Sequence, residues 1–199
     1  METCYISLGG DCSVSYNLRQ LGLQNLGTMP FDWARIDKLD TIIDILASEF
    51  RDIADFNQYT SKLQSDNFNY NPEDNKEDNK MDNIVKSRVR LLHKKYKIVL
   101  PHEYKNNEIN RNEFEERYAR RISRFMNIGR CANIKKFFVR LGTREELDKL
   151  SSSLYKVLDE LKMSNYEVKF VILDDWNYEL GEHKFTWQRY YIPWKKILS

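Results

Sequence analysis

The chain contains no run of about 18 apolar residues, so it offers no candidate membrane-spanning helix. Its opening, METCYISLGG, lacks the basic segment and long apolar core of a secretory signal. Cysteine is scarce. Cys4, Cys12 and Cys131 are odd in number and widely spaced, which fits neither a disulfide framework nor zinc-ligand spacing. These absences point to a reducing, intracellular setting, expected to be cytoplasmic. There is no glycine-rich phosphate loop, so no cofactor is expected, and no metal. Charge of one sign is also missing. Charged residues make up 31% of the chain, yet the net charge is only +2, which argues against a nucleic-acid partner. No internal repeat is found.

What remains is a globular composition. With 199 residues, 41% of them hydrophobic and 13% aromatic, the chain can bury one real core. We read residues 1–199 as a single α/β domain. The run Cys4–Leu8 is a buried strand that stops at Gly9-Gly10. Asp11 then caps a helix in which Val14, Leu18 and Leu21 recur at helical spacing, and Gly22 ends it. Leu39, Ile42, Ile43, Leu46 and Phe50 mark a second helix over about 37–50. From about 57 to 83 the chain is rich in Asn, Asp, Lys and Glu and reads as a polar loop or insertion. A short helix is predicted over 84–95, then a strand in YKIVL that Pro101 stops. Asn112 with Glu115, and Thr143 with Glu146, have capping-box spacing for two further helices. KKFFVRL and EVKFVIL are strands. Strands alternating with long helices predict a mostly parallel sheet with helices on both faces, a three-layer arrangement. In such sheets chemistry gathers beyond the carboxyl ends of the strands. Gly9–Cys12, Pro101–Glu103, Gly142–Arg144 and Asp174–Trp176 all follow predicted strands.

Cys12 lies in the first turn of a helix, where unpaired amides and the helix dipole stabilise a thiolate. Gly10, Asp11 and Ser13 flank it, and their backbone is a candidate oxyanion or substrate site. A small cysteine packed at a strand–helix turn is the competing reading, and the Asp11 carboxylate opposes a thiolate. A cysteine nucleophile needs a base with an orienting partner. His102 follows a predicted strand and is the preferred base, although a loop histidine bonded to backbone reads the same way. His93 sits among lysines and reads as solvated, while His183 is ambiguous. Asp174 and Asp175 are candidates for the orienting acid, with Asp175 preferred and Asp32 a rival. Arg140 interrupts an apolar strand, so it either pairs with a carboxylate or binds a substrate anion. The arginines of RYARRISRF read as a solvated, partly paired face, with Glu113–Arg117 and Glu116–Arg120 as expected pairs. The aromatic, basic tail around Trp187, Tyr190, Tyr191 and Trp194 reads as a cover for one side of the core.

Three segments together resemble a known family. YISLGGDCSVSYNLRQLGL followed by MPFDW resembles its strand, S-L-G-x-x-C, helix and P-F-D-W opening. LPHEY resembles its His–acid–aromatic motif, and YARRISRFMN with KKFFVRL resembles its R-R-I-x-R-F helix and F-x-R strand. The family is described as papain-like cysteine peptidases of largely unknown function, from bacteria and large DNA viruses. The resemblance implies Cys12 as nucleophile, His102 as base, and Pro30–Trp33 with Arg140 as shared core. At Glu103 this chain departs from the family, where aspartate is the more usual residue. A papain-type fold would place the histidine on an antiparallel barrel, an α+β alternative to the parallel sheet. The resulting expectation is a cysteine-dependent hydrolase acting on a peptide or acyl substrate. A non-catalytic binding or scaffold domain is the second reading. An esterase of the GDSL type, with cysteine as nucleophile and His183 as base, is the third.

Overall fold

A parallel ladder of apolar segments that start far apart in sequence positions everything else. The computed structural model describes residues 2–64, 88–103, 108–173 and 192–198. Strand β1 (Glu2–Ser7) pairs in parallel with β5 (Ile134–Gly142), which pairs in parallel with β6 (Tyr166–Ile172). Among the described residues the order is β1-β5-β6, with β5 in the centre. Alternation along the strands divides the side chains between two cores. Tyr5, Val139, Leu141 and Val171 face one side, against Val14 and Leu18 of α1 (Cys12–Gln20) and Trp194 and Leu198 of α5 (Trp194–Leu198). Cys4, Ile6 and Phe138 face the other. There they meet α2 (Leu39–Ala47), α3 (Arg111–Arg130) and α4 (Arg144–Glu160). The protein is therefore an α/β structure with helices on both faces of a parallel sheet.

A second sheet, antiparallel, is built from β2 (Tyr59–Gln64), β3 (Arg88–His93) and β4 (Val99–Leu100). It changes three expectations. The predicted helix over 84–95 is a strand from Arg88 to His93. The start of the polar 57–83 stretch is a strand as well, and residues 65–87 lie outside the described residues. The strand before Pro101 does not join the parallel sheet. It pairs with β3 through Leu91↔Leu100 and Leu92↔Val99, and makes an isolated antiparallel bridge between Val99 and Arg35. Pairing with distant neighbours overrides local preference here, as short strands allow. Among the described residues there is no barrel, so the papain-type alternative of a barrel-borne histidine gives way to a small open sheet. No described helix is long and apolar enough to cross a membrane.

The helix caps follow the sequence at α1 and α4, whereas α2 is shorter than the expected 37–50 and α3 starts earlier. Asp11 caps α1 by accepting the Ser13 amide at 2.8 Å. The Thr143–Glu146 capping box is present on α4. On α3 the cap is Asn110, accepting from the Glu113 amide, two residues earlier than expected. Trp194 is buried against the sheet, whereas Trp187, Tyr190 and Tyr191 lie outside the described residues.

Gly9 and Gly10 make the turn from β1 into α1 with positive φ, 77° and 118°. A Cβ on Gly10 would lie 2.7 Å from the Leu141 carbonyl oxygen, so β5 leaves no room for a side chain. Gly22 also has positive φ, 68°, but open space around it. Gly10→Ala should therefore destabilise by at least about 3 kcal/mol, a Tm loss of roughly 6–12 °C for a chain of this size. Gly22→Ala should cost about 1 kcal/mol, or roughly 2–4 °C. Thermal unfolding followed by circular dichroism checks the contrast, and equal losses would mean that the Gly10 turn yields.

Candidate functional site

The turn after β1 is fixed from both sides before any chemistry is considered. The Leu8 amide donates to Val139 O, and Leu141 N donates to Gly9 O, extending the ladder past the strand end. The Ser7 hydroxyl accepts the Gly9 amide, and Ile36 N donates to Gly10 O at 3.0 Å. Cys12 follows as the first residue of α1, with its sulfur 3.6 Å from the Trp33 carbonyl oxygen and 3.6 Å from His102 Nε2. The cysteine and histidine stand 90 positions apart and come from different sheets.

His102 reaches this place because β4 ends at Leu100 and Pro101 turns the chain. The Arg35–Val99 bridge, with N–H···O distances of 2.9 and 3.1 Å, fastens β4 to the segment that leaves Trp33. Trp33 itself has φ of 62°, a strained value for a large side chain. That conformation sets its indole edge-on to the His102 imidazole, with centroids 5.7 Å apart at 83°. The Arg19 guanidinium lies over the same indole. Glu103, next to His102, accepts from Arg117, Arg121 and the Tyr118 hydroxyl, all on α3.

The remaining candidates divide clearly. Asp32 is buried and turned toward its own loop. It accepts from the Ser15 hydroxyl, the Met29 amide and the Gln24 side chain. Burial pushes its carboxyl upward, and those hydrogen bonds act against the shift. It clamps the PFDW turn, and Ser15 extends the clamp to the Trp33 amide. These hydrogen bonds give Asp32 a structural role in the turn. Arg140 is fully buried. It donates to the carbonyls of Leu8, Ile36 and Asp37 and pairs with Glu146 at 3.5 Å. Of its two readings, the carboxylate partner is the one observed. Ser13 spends both its amide and its hydroxyl on Asp11, so neither is free to hold an oxyanion, and the Asp11 carboxylate is committed as the cap. Asp174, Asp175 and His183 lie outside the described residues. His93 is not solvated. It is buried in β3 with Nδ1 accepting the Lys95 and Tyr96 amides, and burial lowers its pKa. Cys4 is buried in the core with its thiol pushed up to about 11 by desolvation. Among the described residues no group of His, Cys, Asp or Glu is arranged to hold a metal.

Sequence reasoning placed Trp33 in the shared core but missed its contact with His102, the Arg19 guanidinium over it and the anchoring of Glu103. The quoted PFDW and R-R-I-x-R-F segments carried that signal, but each residue acts through a distant partner.

Electrostatics set the resting state of the thiol. Burial is the largest influence and Asp11 the second, and together they push the Cys12 pKa up to about 11. Arg35, Arg90 and the cysteine's own amide pull the other way without overcoming them. At neutral pH the sulfur is therefore a protonated thiol beside an imidazole, and nucleophilic attack needs that imidazole as proton acceptor.

The fold and this pair define a thiol–imidazole site on an α/β frame. The chain belongs to the family described as "Putative papain-like cysteine peptidase", which it matches over residues 3–174. It is also 36% identical over 64 residues to uncharacterized protein R408 of Acanthamoeba polyphaga mimivirus. That match covers 32% of this chain and 28% of the viral protein, so the chain spans well under two thirds of that relative. No solved structure matches the chain significantly.

Asp11→Asn separates the cap from the charge. Asparagine still caps a helix, while loss of the carboxylate lowers the thiol pKa and raises the thiolate fraction at fixed pH. Alkylation of Cys12 by iodoacetamide at pH 8, followed by peptide mass spectrometry, should accelerate by roughly threefold or more. An unchanged or slower rate would remove Asp11 from the account of the thiol.

Proposed function

We propose that the protein is a cysteine peptidase in which Cys12 is the nucleophile and His102 the general base and acid. The observation that carries this reading is the 3.6 Å approach of Cys12 Sγ to His102 Nε2 at the N-terminus of α1. Family membership supports it independently.

The proposed steps are these. His102 Nε2 takes the thiol proton as sulfur bonds to the carbonyl carbon of a peptide bond, and the carbonyl π electrons move onto oxygen. The resulting oxyanion lies at the positive end of α1, where the Cys12 amide is a candidate donor and the Ser13 amide is already taken by Asp11. Collapse breaks the C–N bond, and the imidazolium returns its proton to the departing amine. A thioester remains on Cys12. Water, deprotonated by His102, adds to the thioester carbonyl. Expulsion of the sulfur, reprotonated by the imidazolium, releases the carboxylic acid and restores the thiol. The Trp33 carbonyl, 3.6 Å from the sulfur, accepts from the resting S–H and so selects one side-chain orientation before substrate arrives.

Two measurements test this. A peptidyl vinyl sulfone should label Cys12 in the wild type, as read by intact and peptide mass, and leave Cys12→Ala unlabelled. Cleavage of a mixed peptide library should vanish in Cys12→Ala and fall about 10²-fold or more in His102→Asn. Wild-type and Cys12→Ala proteins that behave alike in both assays would overturn the catalytic reading in favour of a binding domain.

A further inference from the structure

The arginines of α3 are not equivalent. Arg111 and Arg120 make solvent-facing pairs one turn away on their own helix, with Glu115 and Glu116. Arg117, Arg121 and Arg124 fall four and three positions apart, on a single helix face. Arg117 and Arg121 both hold Glu103, at 2.5 and 3.1 Å, and the carboxylate is only 8% exposed. The buried Tyr118 hydroxyl adds a third donor to the same carboxylate, and the Arg121 guanidinium lies over the Tyr118 ring. Burial and the neighbouring carboxylate keep that phenol protonated, so it donates.

Arg124, one turn on, reaches the opposite wall of the site. It donates to the Thr28 carbonyl at 2.6 Å. Its guanidinium packs so closely on Gly27 that a Cβ there would lie 3.1 Å from Cζ. The Thr28 hydroxyl accepts from Arg19, and Arg19 covers the Trp33 ring that stands against His102. The next residue, Met29, donates its amide to Asp32, the clamp of the same turn. Two paths thus leave one helix face and meet at the imidazole. One runs through Glu103 to the backbone of His102, the other through Thr28, Arg19 and Trp33 to its ring.

We propose that Arg117, Arg121 and Arg124 form a positioning stripe: α3 sets the distance between Cys12 and His102 by holding the histidine loop through Glu103 and the Trp33 wall through Thr28. This rests on the thiol–imidazole reading of the site. The stripe touches no reacting atom. Its effect is to keep the base within proton-transfer reach of a thiol that, being protonated at rest, reacts only when the base is in place.

The test uses Cys12 itself and needs no substrate. The rate of iodoacetamide alkylation at Cys12 is measured from pH 5.5 to 10 by peptide mass spectrometry on the full chain, with circular dichroism confirming that each variant is folded. The wild type should show a component at pH 6–8 that His102→Asn lacks. Arg117→Gln/Arg121→Gln should lose that component and fall to the His102→Asn profile, a drop of about tenfold or more at pH 7. Arg124→Gln should lose part of it. Glu103→Asp keeps the carboxylate and should retain most of the component, whereas Glu103→Gln should not. Arg120→Gln, on the solvent side of the same helix, should match the wild type. A folded double variant with the wild-type profile would overturn the stripe and leave the dyad intact. A His102→Asn profile identical to wild type would overturn the dyad and the stripe together. If the double variant does not fold, the Glu103→Gln and Glu103→Asp pair decides by the same criterion.

Discussion

One buried guanidinium holds the frame on which the site is built. Arg140 sits in the central strand β5, fully removed from solvent, and gives its protons to the ends of three other segments. Leu8 directly follows β1, Ile36 and Asp37 are the exit from the PFDW turn, and Glu146 lies in the first turn of α4. Glu146 has further duties. Its carboxylate accepts the amide of Leu39, the first residue of α2, and closes the capping box on Thr143. A buried ion pair of this kind is weak evidence for net stability, but removing one partner strands the other at a cost of about 3–5 kcal/mol. The pair therefore acts as a register pin. It fixes where β1 ends relative to β5, and hence where the Gly9-Gly10 turn must fall and where α1 begins. Every element that carries Cys12 hangs from that pin.

The site then lies where the two sheets meet. Cys12 belongs to the parallel sheet through β1 and α1, and His102 belongs to the antiparallel sheet through β4. The Arg35–Val99 bridge is the backbone joint between the halves. A two-part origin explains why so many neighbouring residues serve alignment. Asp32, Ser15, Trp33, Arg19 and Glu103 are all engaged in holding loops around the point where the two sheet edges bring Cys12 and His102 within 3.6 Å of each other. Backbone strain at Trp33 belongs to the same logic. A left-handed tryptophan is tolerated where the surrounding hydrogen bonds over-determine the turn.

The parts of this arrangement that the sequence reveals are those with local causes. β1, the Gly-Gly turn, the Asp11 cap and the Thr143–Glu146 box each depend on residues within a few positions of one another. The α/β class follows from the same local patterns. β3 failed to show itself because Val89, Leu91 and Leu92 have no clean period, and its pairing partners Tyr59–Gln64 and Val99–Leu100 hide behind a polar stretch and a two-residue strand. His93 looked solvated because lysines follow it, yet its ring turns inward and accepts the amides of Lys95 and Tyr96. At the start of α3 the Asn112–Glu115 spacing pointed to the wrong cap, since Asn110 is the residue that caps the helix. Glu115 accepts instead from Arg111 and from the Phe56 amide. The arginine face of α3 was misread for a related reason. The partner of Arg117 and Arg121 is neither on the helix nor at helical spacing, but in the loop beside His102.

The Cys12 thiol is protonated at rest first because it is buried and second because it stands beside the residue that caps α1. A carboxylate at the N-cap satisfies the first amide of α1 and complements the helix dipole, but it stands one residue from the sulfur and opposes a thiolate. A serine in its place would cap without that charge. With aspartate, thiolate chemistry is confined to moments when the imidazole accepts the proton, so indiscriminate alkylation and oxidation, which need a standing thiolate, are suppressed. Reactivity then depends on geometry more than on a preformed ion pair. Under the proposed mechanism the reach of His102 is then the decisive variable, and the fixed contacts on the histidine loop and on the tryptophan beside it would serve it.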